Sequence, residues 1–245
     1  MEVHHHGHVH ETKKWKEYLF QFLMLFLAVF CGFLAEYQLE HTIENSREKQ
    51  FMTSLVKDLE SDTAQFNSIK RFRLRKIQTI DSTLYYFALN NSKAFTLRQM
   101  KFVSLGLRGF FQNSGTLDQL KNAGGFRLIR KRNIVDSISA YDQQIKRIAL
   151  RDKFETDKYV EYDQVLEKMF DGRSLAKIHA DTTFFGKTPP SLETNIKLNE
   201  EYVGEFLNKI IGTRNYVKDN LNLQETIKSR AERLIAVIKK EYHLK

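Results

Sequence analysis

The chain has 245 residues, 28% of them charged and 42% hydrophobic, with a formal net charge of +9. Beyond an N-terminal tail and one apolar stretch, the remainder is long enough for one large or two small domains, and polar enough to fold in water. The single cysteine, Cys31, excludes an intrachain disulfide, so cysteine pairing says nothing about compartment.

The tail, residues 1–17, holds five of the eight histidines: His4, His5, His6, His8 and His10. Neutral imidazole is a ready ligand for zinc, nickel or copper, and these rings could wrap one ion. Nothing in a short polar segment orients the rings, so this candidate metal site is weak and unspecific. The plainer readings are a disordered cytoplasmic tail or a tag interrupted by Gly7 and Val9. Three lysines (Lys13, Lys14, Lys16) balance three glutamates (Glu2, Glu11, Glu17), so the positive excess belongs to the remainder of the chain.

Residues Tyr18 to Leu34 read YLFQFLMLFLAVFCGFL, with no charge and one amide, Gln21. As a helix this run is about 26 Å long, close to the roughly 30 Å of a bilayer core. Trp15 and Tyr18 at one end and Tyr37 at the other suit the interfaces. The apolar run is longer than a signal-peptide core, and no A-x-A-like site follows it, since Phe33 stands two before Ala35. The segment 18–35 is therefore read as a retained single span. Lys13, Lys14 and Lys16 precede it, and Arg47 is the first basic residue after it. This asymmetry predicts a cytoplasmic N-terminus and an exported body, 36–245, periplasmic in a Gram-negative inner membrane.

No glycine or proline occurs between Gly32 and Gly106, so the span is expected to continue as one helix to about residue 75 or beyond. Phe51, Leu55, Leu59, Phe66, Ile69 and Phe72 mark its apolar stripe. A second helical stretch reaches Leu89, where Asn90, Asn91 and Ser92 signal a turn. A further helix is predicted over 96–111. Thr116 to Gln119 fits a capping box opening a short helix that stops at Gly124 and Gly125.

Asn133 is placed to cap the next helix. Its seam runs through Ile134, Ile138, Tyr141, Ile145 and Ile148, then resumes at Tyr159, Tyr162, Leu166 and Met169. Asp152 and Glu155 occupy the seam positions between, which suggests a kink, an exposed segment or a specificity device. The helix ends at Asp171 and Gly172, and a linker closes with Pro189 and Pro190. The last helix, about 192–242, carries Val203, Phe206, Ile210, Val217, Leu221, Ile227, Leu234 and Ile238, with a possible break near Gly212. The fold class is all-α: one N-terminal transmembrane helix continuing into a soluble bundle of long helices.

Two regions resemble a family of single-pass helical membrane proteins from Bacteroidota, a domain of unknown function. One is the span with Arg47 to Phe51 and Leu55 to Asp62. The other is Ser114 to Ile129 followed by the helix bearing Tyr141. The family pattern appears here as Thr116, Leu120, Lys121, Gly124, Leu128 and Ile129, with one inserted glycine. The resemblance covers residues 18 to 145 and implies a helical, membrane-anchored exported domain with no established activity. The histidine tail departs from it.

Two basic clusters, Lys70, Arg71, Arg73, Arg75 and Lys76, and Arg130, Lys131 and Arg132 with Arg127, could meet a protein partner or an anionic surface. The plainer reading is a solvated face. No G-x-S-x-G, H-E-x-x-H, Walker loop or G-x-G-x-x-G occurs; outside the tail only His41, His179 and His243 remain, and Asp181 beside His179 is a weak pair. The sequence thus predicts a non-enzymatic protein without a cofactor, whose partners are the membrane and a protein or a second copy. Nucleic acid is disfavoured for an exported body. A scaffold or accessory subunit of an envelope complex is the leading reading. The alternatives are a ligand-sensing helical domain with a separate output partner, and an unrecognised enzyme.

Overall fold

The computed structural model describes residues 15–89, 108–122, 124–173 and 198–244. Among these residues there are four α-helices: α1 (Trp15–Ala88), α2 (Gly115–Asn122), α3 (Arg132–Met169) and α4 (Val203–Tyr242). Among the described residues there is no strand, only an isolated antiparallel bridge between Phe170 and Leu198. The all-α expectation is met. The chain divides into two compact units, Met1–Gln50 and Phe51–Lys245, and α1 runs unbroken from the first into the second.

In the first unit α1 is an isolated helix whose apolar side chains are exposed on every side from Tyr18 to Leu34. Its most apolar 18-residue window has a mean hydropathy of 2.2, and the helix is long and apolar enough to cross a membrane. Phe22, Phe26 and Phe30 stack at i, i+4 spacing, with ring centroids 6.3 and 6.0 Å apart. Tyr37 stacks on His41 at 5.9 Å.

In the second unit three helices bury seams whose positions alternate by three and four residues. On α1 the buried seam is Met52, Leu55, Leu59, Asp62, Phe66, Ile69, Arg73, Lys76, Ile80 and Thr83, with Val56 buried beside it. Phe51 and Phe72 flank this seam instead of lying on it. On α3 it is Ile134, Ile138, Tyr141, Ile145, Ile148, Glu155, Tyr162, Leu166 and Met169. On α4 it is Phe206, Ile210, Thr213, Val217, Asn220, Gln224, Ile227, Ala231, Leu234 and Ile238. A mean period of 3.5 keeps each seam on one side of its helix, as in supercoiled bundles. Cross-links fix the directions. Asp62 meets Tyr141 and Arg73 meets Glu155, so α1 and α3 are parallel. Lys131 reaches Glu241 and Glu161 binds Lys209, so α4 runs antiparallel to α3.

The apolar core falls into two clusters. One joins Met52 to Ile69, Phe110 to Ile148 and Ile227 to Ile238. The other joins Ile80, Tyr162 to Phe170, Phe206 and Ile210. Polar seam residues lie between them.

Several helix ends differ from the sequence expectation. Helix α2 starts at Gly115, so Thr116 lies inside it, buried, and does not cap it. Asp58 of α1 accepts from the Thr116 amide at 3.1 Å instead; a side chain from another helix satisfies the first-turn donor. Asn133 lies inside the first turn of α3, whose N-cap, Lys131, makes no side-chain cap. Gly212 does not break α4, which begins only at Val203, after a 3₁₀ turn capped by Asn199. Residues 108–111 are not helical, because side chains of the long helices hold their backbone; the rest of the helix predicted over 96–111, and the Asn90 turn, lie outside the described residues. Gly124, at φ 66°, ends α2 as expected.

Gly125 is held for another reason. A Cβ there would lie 2.9 Å from Leu120 Cδ2 and 3.0 Å from its Cα, whereas one at Gly212 would meet nothing. Gly125→Ala should lower stability by about 1–3 kcal/mol through overpacking. Gly212→Ala should raise it by about 0.5–1 kcal/mol. Thermal unfolding of the detergent-solubilised chain, followed by circular dichroism, checks both signs.

Candidate functional site

The first basic cluster does not form one surface. Arg73 and Lys76 fall on the buried seam of α1 and are 0% exposed. They therefore offer nothing to a partner or an anionic surface, which corrects the sequence reading for these two residues. Lys70 pairs with Glu225 of α4 at 2.8 Å, leaving Arg71 and Arg75 exposed. In the second cluster Lys131 pairs with Glu241 and lies over the Tyr242 ring, and Arg132 pairs with Asp136 at 3.5 Å. Arg130 is exposed but engaged. The histidines of the tail, with His179 and Asp181, lie outside the described residues. Among the described residues no three His, Cys, Asp or Glu are grouped to hold a metal ion.

What the sequence separates by about eighty positions, the fold joins. Arg73 Nη2 donates to Asp152 Oδ1 at 2.8 Å and to Glu155 Oε2 at 2.9 Å. Asn220 Nδ2, from α4, donates to the same two oxygens at 2.8 and 2.5 Å. Asp152 Oδ2 accepts from the Phe110 amide at 2.9 Å. Asp152 and Glu155 thus do not mark an exposed segment; they are the counter-charges of a guanidinium. Four buried polar atoms in this layer have no hydrogen-bond partner: Arg73 Nη1, Asn220 Oδ1, and both amide atoms of Gln224. Each such atom costs about 1–3 kcal/mol.

One turn along α1, Lys76 lies over Tyr159 and Tyr162, 5.1 and 5.6 Å from the ring centroids. Burial pushes its ammonium down to about 8; Glu155 and Asp163 oppose that shift and Arg73 adds to it. At the other end of the bundle Asp62 accepts from Tyr141 Oη at 2.7 Å and from the Asn113 amide at 2.9 Å. Burial raises the Asp62 carboxyl despite these donors. Gln65 donates to the Phe111 carbonyl at 2.8 Å and accepts from its amide at 2.7 Å. Phe66 stacks on Phe110, centroids 4.2 Å apart.

Two surface concavities are lined by described residues. One is lined by Lys168 to Asp171 and Leu198 to Glu200. The other lies between α3 and α4, between Ser137, Ala140 and Tyr141 on one side and Arg230, Arg233, Leu234 and Val237 on the other. Neither is lined by a residue of the buried polar layer. The layer can therefore hold helices in register, whereas the α3–α4 groove is open to a ligand. Sequence reasoning missed both. The α1 seam, extended from Ile69 by four and then three, predicts Arg73 and Lys76 as core positions. The groove has no such signal, because its two walls are about ninety residues apart.

The charges set the stability. Arg73→Met strands the buried Glu155 and the half-buried Asp152 and should cost about 3–5 kcal/mol. Lys76→Met should have the opposite sign at neutral pH. Below pH 8 Lys76 is charged in both states and its burial cost is fully present. Between pH 8 and about 10.4 the unfolded chain holds the extra proton, so stability rises with pH. Burial also raises the Tyr141 and Tyr162 hydroxyls, so stability falls again above about pH 10. Lys76→Met should abolish the rise and gain about 3 kcal/mol at pH 7. Urea unfolding at pH 7, 8.5 and 9.5 separates the two variants.

Set against known protein families, curated proteins and solved structures, the chain matches none.

Proposed function

We propose that the chain is a membrane-anchored helical scaffold or accessory subunit of a cell-envelope complex, working by protein–protein binding. The exposed apolar surface of α1 from Tyr18 to Leu34 carries this reading. A helix apolar on every side is at rest only inside a protein core or a bilayer, and these side chains have no core around them. The bundle supports the binding role. Its buried carboxylate Glu155 and the adjacent Asp152 are taken up by an internal pair with Arg73, and the two concavities on the described residues are open to the surface. The lysines before the span place the N-terminus in the cytoplasm and the bundle in the periplasm in this proposal. The resemblance of residues 18 to 145 to Bacteroidota anchored domains fits the same assignment.

A second reading, a ligand-sensing bundle with a separate output partner, is favoured by one observation: the unpartnered buried atoms of Arg73, Asn220 and Gln224. A small polar ligand reaching that layer would satisfy them. The scaffold reading is preferred because neither concavity formed by the described residues is lined by that layer.

Anchoring and orientation are tested together. The full chain should stay in the membrane pellet after carbonate washing, and a deletion of 15–35 should move it to the supernatant. With Cys31→Ser as background, Asn67→Cys, at an exposed position of α1, should react with a membrane-impermeant maleimide in intact spheroplasts. Labelling only after lysis would reverse the orientation.

A further inference from the structure

Paired antiparallel, α3 and α4 share one flank that faces α1 and one that faces away. On the near flank Arg214, Glu225 and Lys239 of α4 bind Asp81, Lys70 and Glu60 of α1. On the far flank lies the groove whose floor is Ala140, the Tyr141 ring, Leu234 and Val237. Beyond the groove the same face of α3, by helical spacing from Ser137 and Ala140, carries Gln144, Arg147, Arg151 and Phe154. The groove's α4 wall carries Arg230 and Arg233. From Ser137 to Phe154 this face of α3 is about 26 Å long. Beyond it, Lys158 and Lys209 close on Glu161 across the two helices.

The four arginines of this flank are exposed, and none has a carboxylate within ion-pair distance among the described residues. Arg147 makes only a hydrogen bond to Gln144 Oε1, at 3.0 Å. Elsewhere Lys70, Arg73, Lys121, Lys131 and Arg214 meet carboxylates, while Arg71 and Arg75 of α1 are exposed. Of the acids on this flank, Glu161 is already held by two lysines, and Asp219 lies towards that same end of the groove.

We propose that this groove receives an acidic amphipathic helix of a partner protein. The inference deepens the scaffold reading and rests on it. Ser137 and Ala140 are small, so a helix can approach the floor closely. The apolar floor suits a Leu- or Ala-bearing face, and guanidinium forks on both rims match carboxylates on the flanks of that helix. A face of about 26 Å accommodates roughly five helical turns. A lipid headgroup or nucleic acid would use the arginines but leave the apolar floor uncovered.

The test uses the full chain in phosphatidylcholine nanodiscs and a fluorescein-labelled 18-residue helical peptide, with Leu and Ala on one face and Glu on both flanks. Fluorescence anisotropy should show saturable binding of this peptide and none of its Lys-flanked counterpart. Arg230→Glu with Arg233→Glu should weaken binding at least roughly tenfold. Ala140→Trp, which fills the floor without changing charge, should do the same. Circular dichroism melts confirm that both variants are folded. If Ala140→Trp binds like the unaltered chain, the rim attracts any polyanion and the proposal is wrong. It is equally wrong if phosphatidylglycerol vesicles compete with the same arginine dependence. Either result leaves membrane anchoring, measured by the carbonate wash, untouched, so failure of the groove and failure of the anchor are told apart.

Discussion

A guanidinium sealed in a helix seam must find counter-charge at its own level of the bundle, and Arg73 finds it on α3 and α4 together. Asp152 and Glu155 approach from one helix, and Asn220 bridges the same two oxygens from the other. Stripped of one partner, a buried charge costs several kcal/mol, so this layer tolerates only one alignment. A slip of α1 by one heptad would bring Phe66 or Ile80 opposite the carboxylates and drive Arg73 among isoleucines or tyrosines. The apolar positions alone would not forbid that slip, since a 3.5-residue repeat returns a similar residue every seven. Here the ion pair selects the register more than it adds stability, much as a polar residue at a seam position does in coiled coils. Four unpartnered polar atoms in the same layer show what that selection costs.

The same carboxylate ties the bundle to its shortest helix. Asp152 Oδ2 accepts from the Phe110 amide, while Gln65, Asp62 and Asp58, at successive turns of α1, hold Phe111, Asn113 and Thr116. An irregular segment carries backbone groups that need partners. Here side chains of α1 and α3 supply them, and Phe110 stacks on Phe66 to close the contact. The start of α2 is therefore set by tertiary contacts, and its end by the left-handed Gly124 and the tight approach of Gly125 to Leu120.

The helices and their apolar seams were legible in the sequence because hydrophobic period is a local signal. Ile134 to Ile148 and Tyr162 to Met169 are buried as their spacing implies, and α1 runs unbroken through a stretch without glycine or proline. Charge was misread for a physical reason. Arg73 and Lys76 stand among Lys70, Arg71 and Arg75, and a run of like charges reads as a solvated face. Only the phase of the seam separates the two that point inward from the three that do not. Asp152 and Glu155 posed the complementary puzzle on α3. Neither half is interpretable without the other, because the pairing spans about eighty residues. The caps were misplaced at Thr116 and Asn133 for a related reason: local capping chemistry competes with side chains arriving from elsewhere, and at Thr116 Asp58 wins.

The surplus positive charge gains a location from this pairing. Had the basic runs of the sequence formed the interaction surface, charge would concentrate along one stretch of α1. Instead Arg73 inside the bundle and Lys70, Arg214 and Lys239 on the α1 flank are paired with carboxylates of neighbouring helices, while Arg147, Arg151, Arg230 and Arg233 stand exposed on the far side of α3 and α4. Internal pairing is enforced by desolvation, which penalises every unmatched buried charge; the exposed flank is under no such pressure. An unmatched arginine there costs the folded chain little, and it remains available to an acidic partner. The polar layer that fixes helix register and the basic flank that faces outward are in this sense two consequences of one rule. Arg73 is matched where water is excluded, and the arginines of the far flank are left open where it is not.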